Sequence, residues 1–140
     1  MRNILLIILA GIVCACSGKQ SNAEIESLNQ FVAELEIDIS DYKSILFIPL
    51  EGCGTCIENG VDFYKNHCEN DEVLFVFCTY QPHAYDYLRN NERANVVIDK
   101  SNIAIKHRVL STAPVAYKRE NSEFHFLGTA TRRFDLSVLL

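Results

Sequence analysis

Ser44-Ile45-Leu46-Phe47-Ile48-Pro49-Leu50-Glu51-Gly52-Cys53-Gly54-Thr55-Cys56-Ile57-Glu58-Asn59-Gly60-Val61-Asp62-Phe63-Tyr64-Lys65-Asn66-His67 is the stretch on which the fold reading rests. Its first seven residues form a β-rich apolar run. Pro49 sits near the end, where a lost backbone donor is tolerated. Gly52 to Cys56 reads as a turn. From Thr55 to His67 the apolar residues Ile57, Val61 and Tyr64 fall on one helical face. A strand, a tight turn carrying Cys-x-x-Cys and a helix therefore follow one another. With Cys53 at the helix N-cap, both sulfurs lie at the first turn, within bonding reach. Free helix N–H groups and the macrodipole stabilise a thiolate there.

The remaining elements follow in both directions. Glu24 to Leu35 reads as a helix, because Ile25, Leu28, Val32 and Leu35 recur at three- and four-residue spacing. Val73 to Thr79 is a continuous apolar run of strand length, as expected of a strand buried on both faces. Pro82 to Asn91 reads as a helix with proline in its first turn. Val96 to Ile98 is a short strand ending at Asp99, and Asn102 to Val109 gives one or two helical turns. Val115 to Tyr117 and Glu123 to Leu127 flank the polar turn Arg119-Glu120-Asn121-Ser122 and form a hairpin. Thr129 or Thr131 is the expected cap of a short last helix. Alternating α and β elements closed by a hairpin predict an α/β domain: a central mixed sheet with helices on both faces.

The chain opens differently. Met1-Arg2-Asn3 is followed by an apolar or small-residue run from Ile4 to Val13. Ten residues at about 1.5 Å each span only half a bilayer core, so this is a signal-peptide h-region rather than a spanning helix. Val13-Cys14-Ala15-Cys16 resembles a bacterial lipobox. The resemblance implies cleavage after residue 15 and acylation of Cys16, with more than one acyl chain giving stable anchoring. Residues 16–23 are then expected to form a small, polar tether, and 24–140 the folded domain. No acidic run follows Cys16, which favours a position facing the periplasm over display on the cell surface.

Composition bounds the rest. The 140 residues are 49% hydrophobic and 22% charged, with net charge −5, an ordinary globular balance. Removing residues 1–15 leaves about 125 residues, enough for one core without disulfide staples. No basic stripe exists, so nucleic acid is not an expected partner. Outside the cytoplasm thiols are oxidised unless something reduces them, which gives the cysteines weight. A zinc knuckle needs a second cysteine pair, whereas Cys68 and Cys78 are singletons; no metal or cofactor is expected. Cys68 falls at the far end of the helix that begins near Cys53, and Cys78 near the end of the next parallel strand. A six-residue strand rises about 20 Å and a disulfide needs Cα atoms within about 7 Å, so these two should not pair. Cys78 reads as a small buried hydrophobe.

Taken together, Cys53-Gly54-Thr55-Cys56 between strand and helix, and Ala113-Pro114 just before a strand, resemble the thioredoxin-like superfamily over about residues 42–138. Gly128 at the end of the hairpin agrees, and Val96-Val97-Ile98-Asp99-Lys100 through Pro114 looks like the membrane-tethered TlpA-type branch. The resemblance implies that Cys53 is the nucleophile, Cys56 the resolving thiol and Pro114 a cis-proline packed against the pair. It implies a thiol–disulfide oxidoreductase of the cell envelope, acting as a reductase on protein thiols or disulfides and kept reduced by a membrane electron donor. The sequence departs from the family at three points. Gly52 stands where Trp is common, Thr55 replaces Pro, and Phe47 occupies the strand position of a buried Asp; Glu51 or Glu58 is a candidate substitute for that acid. Two other readings stand beside this one: a non-enzymatic binding module on the same fold, and a copper-delivery protein using both thiols with His83 or His107. Both histidines read more simply as surface residues, and Tyr80, Tyr85 and Tyr87 as helix-packing residues.

Overall fold

The computed structural model describes residues 17–79, 93–110, 112–131 and 133–140. The signal segment with Cys16, and the expected helix over 82–91 with His83, Tyr85 and Tyr87 and with Tyr80 ahead of it, lie outside the described residues. Within them the order is α1 (Ser17–Leu35), β1 (Ser44–Pro49), α2 (Gly54–His67), β2 (Val73–Cys78), β3 (Val96–Asp99), α3 (Ile103–Lys106), β4 (Val115–Glu120), β5 (Glu123–Thr129) and a 3-10 turn at Leu136–Leu139.

The five strands form one mixed sheet in the order β3-β2-β1-β4-β5. β1, β2 and β3 are parallel, with Ser44 opposite Val73 and Phe75 opposite Val96. β4 runs antiparallel to β1, and β5 antiparallel to β4. Both central strands, β1 and β2, are buried at every position. Their side chains divide by the two-residue period of a strand. Ile45, Phe47, Leu74, Val76 and Cys78 face α1, where Leu28 and Phe31 complete the layer, and α3 with Ile103 and Ala104. Leu46, Ile48, Val73, Phe75 and Phe77 face α2, which contributes Phe63 and Tyr64. The rings interlock edge to face: Phe31 with Phe47 at 5.0 Å, and Tyr64 with Phe75 at 5.1 Å and Phe77 at 5.0 Å. Continuous apolar runs sandwiched between helices thus give the α/β sheet expected from the sequence.

Local polar chemistry positions the connections. Asp99, fully buried, accepts hydrogen bonds from Ser101 N at 3.1 Å and Ala104 N at 2.8 Å. It thereby starts α3 directly after β3. Asn95, also buried, donates to the carbonyls of Cys68, Asn70 and Val73 and ties the end of α2 to the start of β2. The β4–β5 turn is narrower than the four polar residues suggested. β4 continues to Glu120, and only Asn121 and Ser122 turn, both at positive φ (50° and 75°). That is the two-residue hairpin geometry whose twist matches the flanking strands.

Two expectations are corrected. The helix begins at Ser17 rather than Glu24, so residues 17–23 are helical instead of a flexible tether. Once Leu28 and Phe31 anchor a helix, adding turns costs little, and composition alone does not register that. At the C-terminus the last turn is 3-10 and is capped by Asp135, whose carboxylate accepts from Ser137 N at 2.9 Å, not by Thr129 or Thr131. Thr129 instead ends β5.

Candidate functional site

The site forms at the C-terminal edge of the parallel strands. Leu50 N donates to Cys78 O at 2.9 Å, which extends β1 one residue beyond its end. The chain then bends through Glu51 and Gly52 and enters α2. Cys53 is the N-cap, with φ −70° and ψ 100°, and its carbonyl accepts from Cys56 N at 3.0 Å and Ile57 N at 2.9 Å. The two cysteines are bonded as a disulfide across one helical turn, with Cα atoms 5.3 Å apart. Cys53 is half-buried, while Cys56 retains only 7% of its surface. One sulfur of the pair therefore meets solvent at a helix N-terminus, and the other lies beneath it.

Backbone from a distant loop completes the site. Cys53 N donates to Thr112 O at 3.0 Å, so the segment ahead of β4 is held against the pair. That contact explains Gly52. Its φ is +132°, and a Cβ there would stand 2.5 Å from Thr112 O. Any side chain would be both conformationally strained and in collision with backbone, so the Trp common in the thioredoxin-like family has no room. Gly52→Ala should cost about 1–3 kcal/mol for the backbone strain alone, with a further penalty from the displaced Thr112. Urea denaturation should show this as a lower midpoint; an unchanged midpoint would contradict the assigned conformation.

Pro114 is where the structure overturns the sequence expectation. No peptide bond among the described residues is cis, so Ala113–Pro114 is trans. The trans form is the intrinsically favoured isomer, and the chain reaches β4 without the alternative. Pro114 O accepts from Ala130 N at 2.6 Å. Pro114 does lie close to α2: a Cβ on Gly60 would be 3.0 Å from its Cγ and 3.5 Å from Ile48. A glycine in mid-helix, otherwise costly, thus serves the close approach of this loop. Gly60 and the Thr112 carbonyl are the parts of the site that sequence reasoning missed. The only local sign was a glycine inside a helical pattern.

Thr79 Oγ1 donates to Glu51 Oε1, placing that carboxylate between the β1 and β2 ends. Glu58 is exposed on the outer face of α2. Phe47 is fully buried in the α1-facing core, so this strand presents no acid to the thiols. Cys78 is free and 1% exposed, and burial, with Asp99 and Glu51 nearby, pushes its thiol far above the ordinary range. It behaves as a small core residue. Cys68 is also free, at the opposite end of the sheet, where its carbonyl receives Asn95. The two are unpaired, as their placement required.

Matched against family models, curated proteins and solved structures, the chain finds no counterpart.

The metal readings meet the same geometry. His107 turns its ring nitrogens to Gln30 Oε1 at 3.1 Å and Glu34 Oε2 at 2.6 Å, and Lys106 Nζ lies 2.7 Å from Glu34. The Lys106 hydrogen bond, with that of His107, holds the Glu34 carboxyl below its usual range. This cluster joins α3 to α1 and is occupied with that task. Among the described residues no three His, Cys, Asp or Glu side chains converge to hold an ion. His83 lies outside the described residues.

Proposed function

We propose that the protein is a thiol–disulfide oxidoreductase of thioredoxin-like type, anchored in the cell envelope through acylated Cys16 and acting as a reductase on protein disulfides. The observation that carries this reading is the asymmetric pair: half-buried Cys53 at the N-cap of α2, bonded to buried Cys56 one turn in. Starting from the dithiol, the Cys53 thiolate attacks one sulfur of a substrate disulfide. A Cys53–substrate bond forms, and the departing sulfur leaves as a thiolate that takes up a proton. Cys56 then attacks the Cys53 sulfur, its own proton passing to the second substrate thiolate as that leaves. Two electrons have moved to the substrate, and the protein is left with the Cys53–Cys56 disulfide. A membrane dithiol donor restores the reduced form. The trans Ala113–Pro114 bond withdraws the proline from the case, so the cysteine pair bears it.

Dithiol-dependent reduction of insulin by the purified domain is the direct test. Wild type should accelerate precipitation of the insulin B chain, and Cys53→Ser should return the rate to background. Equal rates for the two proteins would leave the binding-module reading in its place. The anchor is tested separately. Cys16→Ser should abolish lipid labelling and release the protein from membranes; unchanged labelling and unchanged fractionation would dismiss the lipoprotein assignment.

A further inference from the structure

β5 is the last strand of the sheet, and among the described residues nothing pairs with its outer side. Glu120 and Glu123 close the two-residue turn, so their backbone groups point at each other. The alternation of an antiparallel ladder then turns the N–H and C=O of Phe124 and Phe126 toward the free edge. Such an edge is a template for another extended chain.

The edge opens into a groove of about 880 Å³ between the hairpin, α1 and the 37–40 segment. Ile25, Ile37, Ile39 and Phe126 line it, all only partly buried against the core. Its charge is negative: Glu26, Asp38 and Glu123 lie exposed along it. Arg119 offsets one of these three charges, which leaves the groove net negative. Its guanidinium donates to the Ile39 and Ser40 carbonyls and stacks 4.6 Å over the Phe124 ring. The groove is also remote from the cysteines. Val115 pairs with Phe47 near the cysteine edge, and β4 descends from there to Glu120, a drop of roughly 16 Å.

We infer that this groove is a docking site for an extended polypeptide stretch of another protein, in which basic residues alternate with apolar ones, added as a sixth strand on β5. Main-chain hydrogen bonds to Phe124 and Phe126 supply affinity, and alternate side chains enter the apolar floor. The carboxylates select basic over acidic sequences. The same charges argue against a second copy of this chain as occupant. Two copies joined along β5 would bring two negatively charged grooves together in a protein of net charge −5. The site does not depend on thiol chemistry, and it gives a client a second hold away from the cysteines.

The probe is a short, end-capped peptide alternating lysine and valine, labelled for fluorescence anisotropy and titrated with the full domain. Saturable binding is expected, weakening with salt, with slowed hydrogen exchange at the Phe124 and Phe126 amides. The matching glutamate–valine peptide should not bind. Glu26→Lys combined with Glu123→Lys, both exposed and away from the core, should weaken the lysine peptide by about tenfold and admit the glutamate peptide. Cys53→Ser should bind as wild type. The inference is overturned by equal binding of both peptides, by binding that the double variant leaves unchanged, by loss of binding in Cys53→Ser, or by concentration-dependent self-association that protects the same amides without peptide.

Discussion

Cells producing the Cys56→Ser protein should accumulate mixed disulfides between Cys53 and envelope proteins, and cells producing Cys53→Ser should accumulate none. The expected difference is all-or-none, because it follows from which sulfur is reachable. Cys53 is half-buried at the first turn of α2, whereas Cys56 is 7% exposed behind it. Incoming thiols or disulfides therefore meet Cys53 first. Its thiolate is favoured by the helix N-terminus, and no Lys, Arg or His lies within three residues of either cysteine to favour it further. Removing Cys56 removes the group that resolves the adduct, so the adduct persists. Non-reducing electrophoresis of cells quenched with acid would display the adducts. In the reduced protein, iodoacetamide should modify Cys53 far faster than Cys56. Absence of adducts from both variants, with Cys53 alkylating no faster than a peptide thiol, would make the pair structural and return the protein to the binding-module class.

The largest effect on stability is expected at Phe47. This residue has no exposed surface, and its ring meets Phe31 of α1 at 5.0 Å and Tyr117 of β4 at 5.9 Å, both edge to face. It joins the helix to β1 and β4. Phe47→Ala should cost about 3–5 kcal/mol, the sum of lost transfer energy and the cavity left behind. That is a large part of the 5–15 kcal/mol that typically stabilises a domain. Phe47→Asp, which restores the acid common in the resembled family, should leave the chain unfolded at neutral pH. Tyr117, Phe31 and Leu28 offer the carboxylate an apolar layer in place of water or a charge partner. Urea denaturation followed by circular dichroism would measure the alanine variant. A midpoint lowered by less than the equivalent of about 1 kcal/mol, at unchanged slope, would mean that α1 is not packed on this strand as described.

The readable part of this protein was the part governed by short-range rules. Val73 to Cys78 is apolar at every position because a strand between two helical layers must bury both faces, and its length and its β-branched and aromatic residues favour a strand over a buried helix segment. The spacing of Cys53 and Cys56 at a strand-to-helix turn puts their Cα atoms within disulfide reach, since one helical turn separates them. The unpaired state of Cys68 and Cys78 follows from the rise of a strand. Tertiary structure decided the remainder, where residues distant in sequence meet. Gly52 is required by Thr112, whose carbonyl occupies the space a Cβ would need, and Gly60 is favoured by the close approach of Pro114. The proline's isomer depends on how the loop reaches β4, and the dipeptide alone carries only a preference. The helix ran on to Ser17 because Leu28 and Phe31 are anchored on the sheet, not because residues 17–23 favour it strongly. The acid-rimmed groove beside β5 is assembled from α1, a loop and a hairpin, three segments with no shared sequence signature. Periodicity and spacing report what each residue demands of its immediate neighbours; which distant surfaces satisfy those demands is settled only when the layers pack.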